Sequence, residues 1–394
     1  MPAWDWPHAG FAGPDRGQHD PRSVSTNRAA MPAKPSRDKP DRRAMVRLVR
    51  DLPSGSFAFV MATGIVSIAA ELLGFGRIAS LLLGLNAAGF LALWVLTFLR
   101  LIYFPSAVIA DLRDHRRGPA FLTVVAGTNV LGDQISLLTS HQDIATALWL
   151  LGCALWVGLV YCFFAAATTR ATKPPLTAGL DGTWLLIVVA PQSSAILGAQ
   201  IAGVFASPQL VIFASFSLYL LGGAFYLVII TLILYRWLFE PMAPEQLTPS
   251  YWINMGAAAI TTLAGARLSS AVVSDPVLAV TRGYIIGETL FFWSIASWWI
   301  PLLAGLMVWR HLIGRVRLIY QFDYWSLVFP LGMYAAATLT FAQTIGAEFL
   351  TPVPRFFFWV AIAAWCLTFF GMMRRLAGVV PILIGGQASQ QRME

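Results

Sequence analysis

Long apolar runs separated by short polar ones constrain this chain more than any other feature. Ten of them approach the roughly 20 residues that a helix needs to cross the hydrocarbon of a bilayer. They lie at about 56–75, 78–99, 119–139, 144–168, 181–203, 210–235, 250–273, 286–309, 323–345 and 355–375. In hydrocarbon each backbone N–H and C=O must be satisfied inside its own element or a closed barrel, and runs of this length satisfy them as helices. The predicted class is therefore an all-α integral membrane protein with ten transmembrane helices. Composition agrees, because 57% hydrophobic and 12% charged residues, with 15 Trp and 26 Phe in 394, are too apolar for a soluble domain.

The flanking charge orients the runs. Residues 1–50 are rich in Pro, Arg, Asp and Ser, lack any apolar period and are expected to form a disordered basic cytoplasmic tail. They hold no apolar core of the kind a secretory signal requires. Lys34, Arg37, Lys39, Arg42, Arg43, Arg47 and Arg50 cluster just ahead of the first run. The loops after even-numbered runs are basic as well, and only Arg77, Arg267, Arg282 and Arg355 fall on the opposite side. By the positive-inside rule both termini are cytoplasmic, which predicts a multi-pass protein of the plasma (inner) membrane with a transmembrane domain at 51–376 and a short cytoplasmic tail at 377–394. Read this way, the basic charge is a topology signal and no nucleic-acid partner is expected; the lipid bilayer is the partner surface.

The odd-numbered runs repeat a pattern. Phe57, Phe121, Trp184, Trp252 and Trp325 open them at spacings of 64, 63, 68 and 73 residues. Four to seven residues further on come small or helix-breaking patches at 61–64, 125–128, 188–191, 256–259 and 329–332. Small residues let transmembrane helices pack closely, but five copies in phase suggest a ring of five helical hairpins, quasi-five-fold, with odd helices around a central pore and even helices outside. Pro330 and Pro191 each remove a backbone donor and are expected to kink or break their helices. Phe329, beside Pro330, is large enough to close a narrow pore.

The odd runs carry hydroxyls and amides but no carboxylate at mid-depth. The predicted pore-lining residues are Phe57, Thr63, Phe121, Thr128, Asn129, Pro191, Gln192, Asn254, Thr261 and Ser326. Donors without fixed negative charge suit a small anionic substrate that must be partly desolvated yet released. Interhelical hydrogen bonding is the competing reading for each polar side chain. Asp133, Glu288 and Arg267 lie near the outer side, and two readings stay open for them: proton coupling through a carboxylate, or an Arg267 ion pair at the rim. The three cysteines, Cys153, Cys162 and Cys366, sit in apolar runs as packing residues, and no zinc spacing or histidine cluster occurs, so neither metal nor cofactor is expected. With no HExxH or GxSxG motif and no close pair of intramembrane carboxylates, an enzyme is disfavoured.

Four stretches, LPSGSFAFVMATGIVSIA (52–69), GTNVLGDQ (127–134), LTPSYWINMGAAAITTLAG (247–265) and YWSLVFPLGMY (324–334), resemble the tellurite-resistance/dicarboxylate transporter family, which is related to plant slow-type anion channels. The resemblance covers residues 50–376. It implies ten helices in five hairpins around a central pore, often as a trimer with one pore per subunit. It also implies transport of anions such as malate, succinate or tellurite, with chloride, nitrate or sulfite as alternatives. In that family a phenylalanine immediately before the proline of the ninth helix plugs the pore, and Phe329 holds the matching place.

Overall fold

The structure is a computed structural model that describes residues 46–275 and 277–388; residues 1–45 of the expected amino-terminal tail and 389–394 lie outside the described residues. Residues 46–50, placed in that tail by the sequence, are helical. No strand occurs among the described residues. Ten helices of 15 residues or more do: α1 Ala58–Leu72, α2 Gly76–Tyr103, α3 Thr123–Leu138, α4 Gln142–Thr169, α5 Leu186–Ile201, α6 Pro208–Phe239, α7 Ile253–Ala271, α8 Arg282–Val308, α9 Trp325–Ile345 and α10 Pro352–Ala388. Eight helical spans are long and apolar enough to cross a membrane. The two that fall short are α1, which is apolar but only 15 residues long, and α7, whose stretch carries Asn254, Thr261, Thr262, Arg267, Ser269 and Ser270.

Burial sorts the helices into two kinds. The spans containing α3, α5 and α9 are 78%, 89% and 83% buried, whereas those of α2, α4, α8 and α10 are 17–22% buried and α6 39%. In α1 every residue from Ala58 to Ala70 is buried, and in α7 every residue from Ile253 to Ala266. A helix enclosed on all sides needs no apolar stripe and is not obliged to be uniformly apolar, which is how α7 tolerates its hydroxyls. The exposed helices instead present Leu91, Val95, Phe98, Tyr161, Val228, Phe291, Trp298, Leu367 and Phe370 outward.

Each buried helix packs on the exposed helix that follows it in sequence, α1 on α2, α3 on α4, α5 on α6, α7 on α8 and α9 on α10. The buried helices also pack on one another in the order α1, α3, α5, α7, α9, and α9 returns onto α1. Glycines make these approaches possible. A Cβ on Gly256 of α7 would lie 2.7 Å from Cγ of Pro330, and one on Gly332 of α9 would meet Ile65 and Val66 of α1 at 3.1 and 3.0 Å. On Gly127 of α3 it would meet Val60 of α1 at 3.3 Å. Small residues in the repeated patches thus serve close interhelical packing.

Every buried helix starts in the same way. A turn or 3-10 segment precedes it, at Pro119–Leu122 before α3, Gly182–Leu185 before α5, Pro249–Trp252 before α7 and Phe322–Tyr324 before α9, and the repeated aromatic sits within two residues of the first α-helical residue. Phe57 packs edge-on against Phe90 and Trp94 of α2 at 5.9 and 5.7 Å, Trp184 against Phe163 of α4 at 5.4 Å, and Trp325 against Phe59 at 5.0 Å and Trp365 of α10 at 6.4 Å. At the other end, Gly74 and Gly346 take positive φ (85° and 71°) where α1 turns into α2 and where α9 stops, a conformation that glycine adopts without a Cβ penalty.

An arginine near the end of four of the five exposed helices, α2, α4, α6 and α8, fastens the segment that leads into its buried partner. Arg100 donates to the Arg50 carbonyl, Arg170 to Arg113, Arg236 to Leu180 and Arg310 to Leu247. Arg100, Arg236 and Arg310 are all buried. The spacing of these four, 70, 66 and 74 residues, repeats that of the aromatics.

Candidate functional site

Two cavities lie at opposite ends of the buried helices. The first, of about 850 Å3, opens where they begin: Gly55 and Ala58 line it from α1 and the turn before it, and Ala120 and Thr123, Thr183 and Leu186, and Phe322 and Ser326 from α3, α5 and α9 and the 3-10 segments that lead into them. Helix amino termini carry partial positive charge. The side chains there are mixed, however, with Arg50, Arg100, Arg116 and Arg117 facing Asp51, Asp111, Asp114, Asp181 and Asp323. Several are engaged with one another: Asp111 accepts from Arg100 at 2.6 Å and from Arg117 at 3.0 Å, and Asp181 from Arg116 at 3.0 Å.

The second cavity, of about 460 Å3, opens where α5, α7 and α9 finish and is lined by Ala199, Gln200, Arg267, Ser270, Ala271, Thr340, Gln343 and Thr344. Among the described residues no carboxylate lines it. Helix α9 runs from one cavity to the other, and positions 326, 329, 333, 336 and 340 are spaced alternately by three and four, so they share a face. Phe329 and Met333 therefore lie on the line between Ser326 in the first cavity and Thr340 in the second, about 21 Å apart along the helix at 1.5 Å per residue. Phe329 is 2% exposed and, among the described residues, has no aromatic ring packed on it.

The prolines do not break their helices. Both α5 and α9 run continuously through Pro191 and Pro330, so the expected break at these prolines does not occur. Each proline is the sixth residue of its helix and frees a single carbonyl, that of Ile187 or Ser326, from its intrahelical donor. The Pro330 ring is accommodated because Gly256 faces it without a side chain.

Most of the predicted polar lining residues turn toward neighbouring helices. Thr63 accepts from Trp365 Nε1 at 3.0 Å, and Thr128 and Thr261 donate to carbonyls of their own helices at 2.7 and 2.8 Å. Asn129 donates to Ser194 at 2.8 Å and Ser193 at 3.1 Å while its amide lies over Gly152 of α4. Gln192 donates to the Tyr219 carbonyl at 2.9 Å and lies over Gly222 of α6. Phe57 packs on α2, and Phe121 joins it, Trp94, Leu155 and Leu159 around an apolar cavity. Ser326 lines the first cavity. Asn254 differs from the rest: it is fully buried, and neither its Oδ1 nor its Nδ2 has a partner.

Asp133, Glu288 and Arg267 are not brought into an ion pair. Among the described residues Arg267 has no carboxylate within 4.0 Å, and its Nε and Nη2 are buried without partners. Asp133 is buried on α3 with Oδ1 unpaired, and Glu288 lies against Gly223 of α6. Sequence reasoning missed Gln200 and Gln343, which flank Arg267, and the four fastening arginines. The regular recurrence of the arginines was the available signal.

Comparison with known proteins agrees with this architecture. The chain is 37% identical over 155 residues to an uncharacterized membrane protein of Mycobacterium tuberculosis, covering 39% of this chain and 78% of that protein. It is 23% identical over 331 residues to an uncharacterized transporter of Methanocaldococcus jannaschii, covering 82% and 94%. A sulfite efflux pump of Arthroderma benhamiae is 23% identical over 343 residues, covering 80% and 88%. The sequence profile described as SLAC1, voltage-dependent anion channel, matches residues 51–373. This all-helical, multi-pass membrane protein belongs to the SLAC1 voltage-dependent anion channel family of anion transporters and channels.

Proposed function

We propose that the ten helices cross the membrane as five hairpins, with α1, α3, α5, α7 and α9 surrounding a central passage for small anions that Phe329 closes. The observation that carries this reading is the closed cycle of contacts among the buried helices, with a cavity at each end. Phe329 lies on the α9 face that joins the cavities, one turn beyond Ser326. Asn254 supports the same reading, because a buried amide with neither group paired costs about 1–3 kcal/mol per group, a cost that water or a passing anion in the passage would remove. Both termini face the cytoplasm, since the fastening arginines and Arg116 and Arg117 gather at the end where the buried helices begin. The 51–376 portion is the transport domain in a plasma membrane.

The substrates are C4-dicarboxylates such as malate and succinate, or oxyanions such as tellurite. Sulfite is the second reading, favoured by the similarity to the sulfite efflux pump. The test is flux of labelled malate, succinate, sulfite, chloride and nitrate into proteoliposomes. Phe329→Ala is expected to raise basal anion flux, whereas Phe291→Ala, on the exposed face of α8, leaves it unchanged. Flux at the level of empty vesicles for every anion, in the wild type and in a well-folded Phe329→Ala protein, sinks the reading.

A further inference from the structure

We infer that the cavity at the carboxyl ends of α5, α7 and α9 is a binding site for small oxyanions, held by Arg267 with Gln200 and Gln343. The inference rests on the reading of a central anion passage and assigns its second mouth a chemistry. Arg267 is the only charged residue that lines this cavity among the described residues. It makes no hydrogen bond or ion pair with any of them, and two of its guanidinium nitrogens are buried without partners. A guanidinium does not deprotonate in proteins, so the cavity holds a fixed, partly desolvated positive charge whose donors have no described partner. Such a charge is costly unless something anionic or water reaches it.

The neighbouring hydroxyls do not supply the missing donors. Ser270 donates to the Ala266 carbonyl at 3.2 Å, Thr340 to Ala336 at 2.9 Å and Thr344 to Thr340 at 2.8 Å. Each proton is committed to its own helix. The free donors are the amides of Gln200 on α5 and Gln343 on α9, neither of which bonds a described residue. Arg267 on α7 completes a set with one donor group from each of three adjacent helices. A guanidinium fork presents two parallel N–H bonds that match two oxygens on one centre, so carboxylate or sulfite gains from this geometry and a halide, with a single acceptor, does not. The helix carboxyl termini at this mouth carry partial negative charge. Without Arg267 the site would repel the ligand, whereas the first cavity, with its interleaved carboxylates, has no comparable free cation among the described residues.

The test uses full-length protein in detergent free of phospholipid. Thermal unfolding is followed while sulfite, malate or chloride is titrated at constant ionic strength, because a ligand that binds the folded state raises Tm saturably. Sulfite and malate are expected to stabilise the wild type. Arg267→Lys, which keeps the charge but loses the fork, is expected to weaken both by about ten-fold or more and to leave any chloride effect within about two-fold. Should Arg267→Lys fail to fold, Gln200→Leu/Gln343→Leu, at the rim of the cavity, carries the same test. The inference is overturned if neither oxyanion stabilises the wild type, or if sulfite and malate bind a folded variant unchanged. It is also overturned if only added phosphatidylglycerol gives a saturable shift, since the cation then serves a lipid headgroup. Oxyanion stabilisation lost in Arg267→Lys, together with an absence of flux in proteoliposomes, supports the site and refutes the transport reading.

Discussion

Gly256→Ala tests the tightest contact between two buried helices. The added Cβ would stand 2.7 Å from Cγ and 3.1 Å from Cβ of Pro330, against the 3.5–4.0 Å at which carbon atoms attract one another. A flexible side chain could swing away, but a pyrrolidine ring closed onto its own backbone cannot. Helices α7 and α9 must therefore separate by roughly 0.8 Å, the shortfall from the lower limit of that range. Overpacking of this kind costs about 1–3 kcal/mol. Replacing glycine by alanine in a helix also gains up to about 1 kcal/mol of propensity, so the useful quantity is a difference between two such replacements. Gly158 of α4 is the control, because a Cβ there meets nothing within 4 Å.

Denaturation in detergent, followed by near-UV signal for both variants, should place Gly256→Ala about 1–3 kcal/mol below Gly158→Ala. Pro330→Ala in the Gly256→Ala background should recover part of that difference, with a coupling energy of about 0.5 kcal/mol or more, as expected for residues in contact. Flux through Gly256→Ala should change as well, since Pro330 carries Phe329 with it. Equal stability of Gly256→Ala and Gly158→Ala, together with additive double-mutant energies, would refute the claim that the glycine sets the approach of the two helices.

Three further outcomes follow from the same geometry. Phe329→Ala should raise basal anion flux in proteoliposomes while Phe291→Ala does not, and a fall in stability of the size seen for a core Phe→Ala, about 3–5 kcal/mol, without extra flux would identify Phe329 as packing. Arg236→Met leaves the Leu180 carbonyl and the Tyr251 hydroxyl, 2.5 Å from the guanidinium, without their donor; it should cost about 1–3 kcal/mol for each group left unpaired, whereas Arg170→Met, at an exposed contact, should stay within about 0.5 kcal/mol by the same thermal assay. Burial, and then the Arg170 charge, hold the His115 imidazole below its usual pKa, so its neutral form is the one the fold favours: stability is complete above pH 6.5 and declines as pH falls below it, a decline that His115→Gln should lessen in pH-dependent melting curves.

The hydrophobic runs carried the helical class and the boundaries of most helices, and the recurring aromatics marked the start of every buried helix. The direction those aromatics face was not legible. Phe57 is equally apolar whether it looks into a passage or onto Phe90 and Trp94, and a helix buried on all sides has no polar stripe to give its orientation away. The same ambiguity hid the polar residues: nothing in Thr63 or Gln192 distinguishes a lining hydroxyl or amide from one bonded to Trp365 or to the Tyr219 carbonyl. Pro330 was expected to interrupt its helix because the glycine opposite it, 74 residues earlier in the chain, is invisible to local reasoning. Arg267 stood out as a charge in an apolar run, but only its distance from Asp133 and Glu288 separates an ion pair from an open cation.

The return of α9 onto α1 has a consequence for how the molecule is made. Helix α1, short and enclosed on every side, finds its last neighbours only after residue 345 has been synthesised, and its Thr63 hydrogen-bonds to Trp365, 302 residues away. In the proposed ten-span topology the first hairpin therefore stands through most of synthesis with one flank unmatched. The earliest part of the domain to be made is the last to be completed.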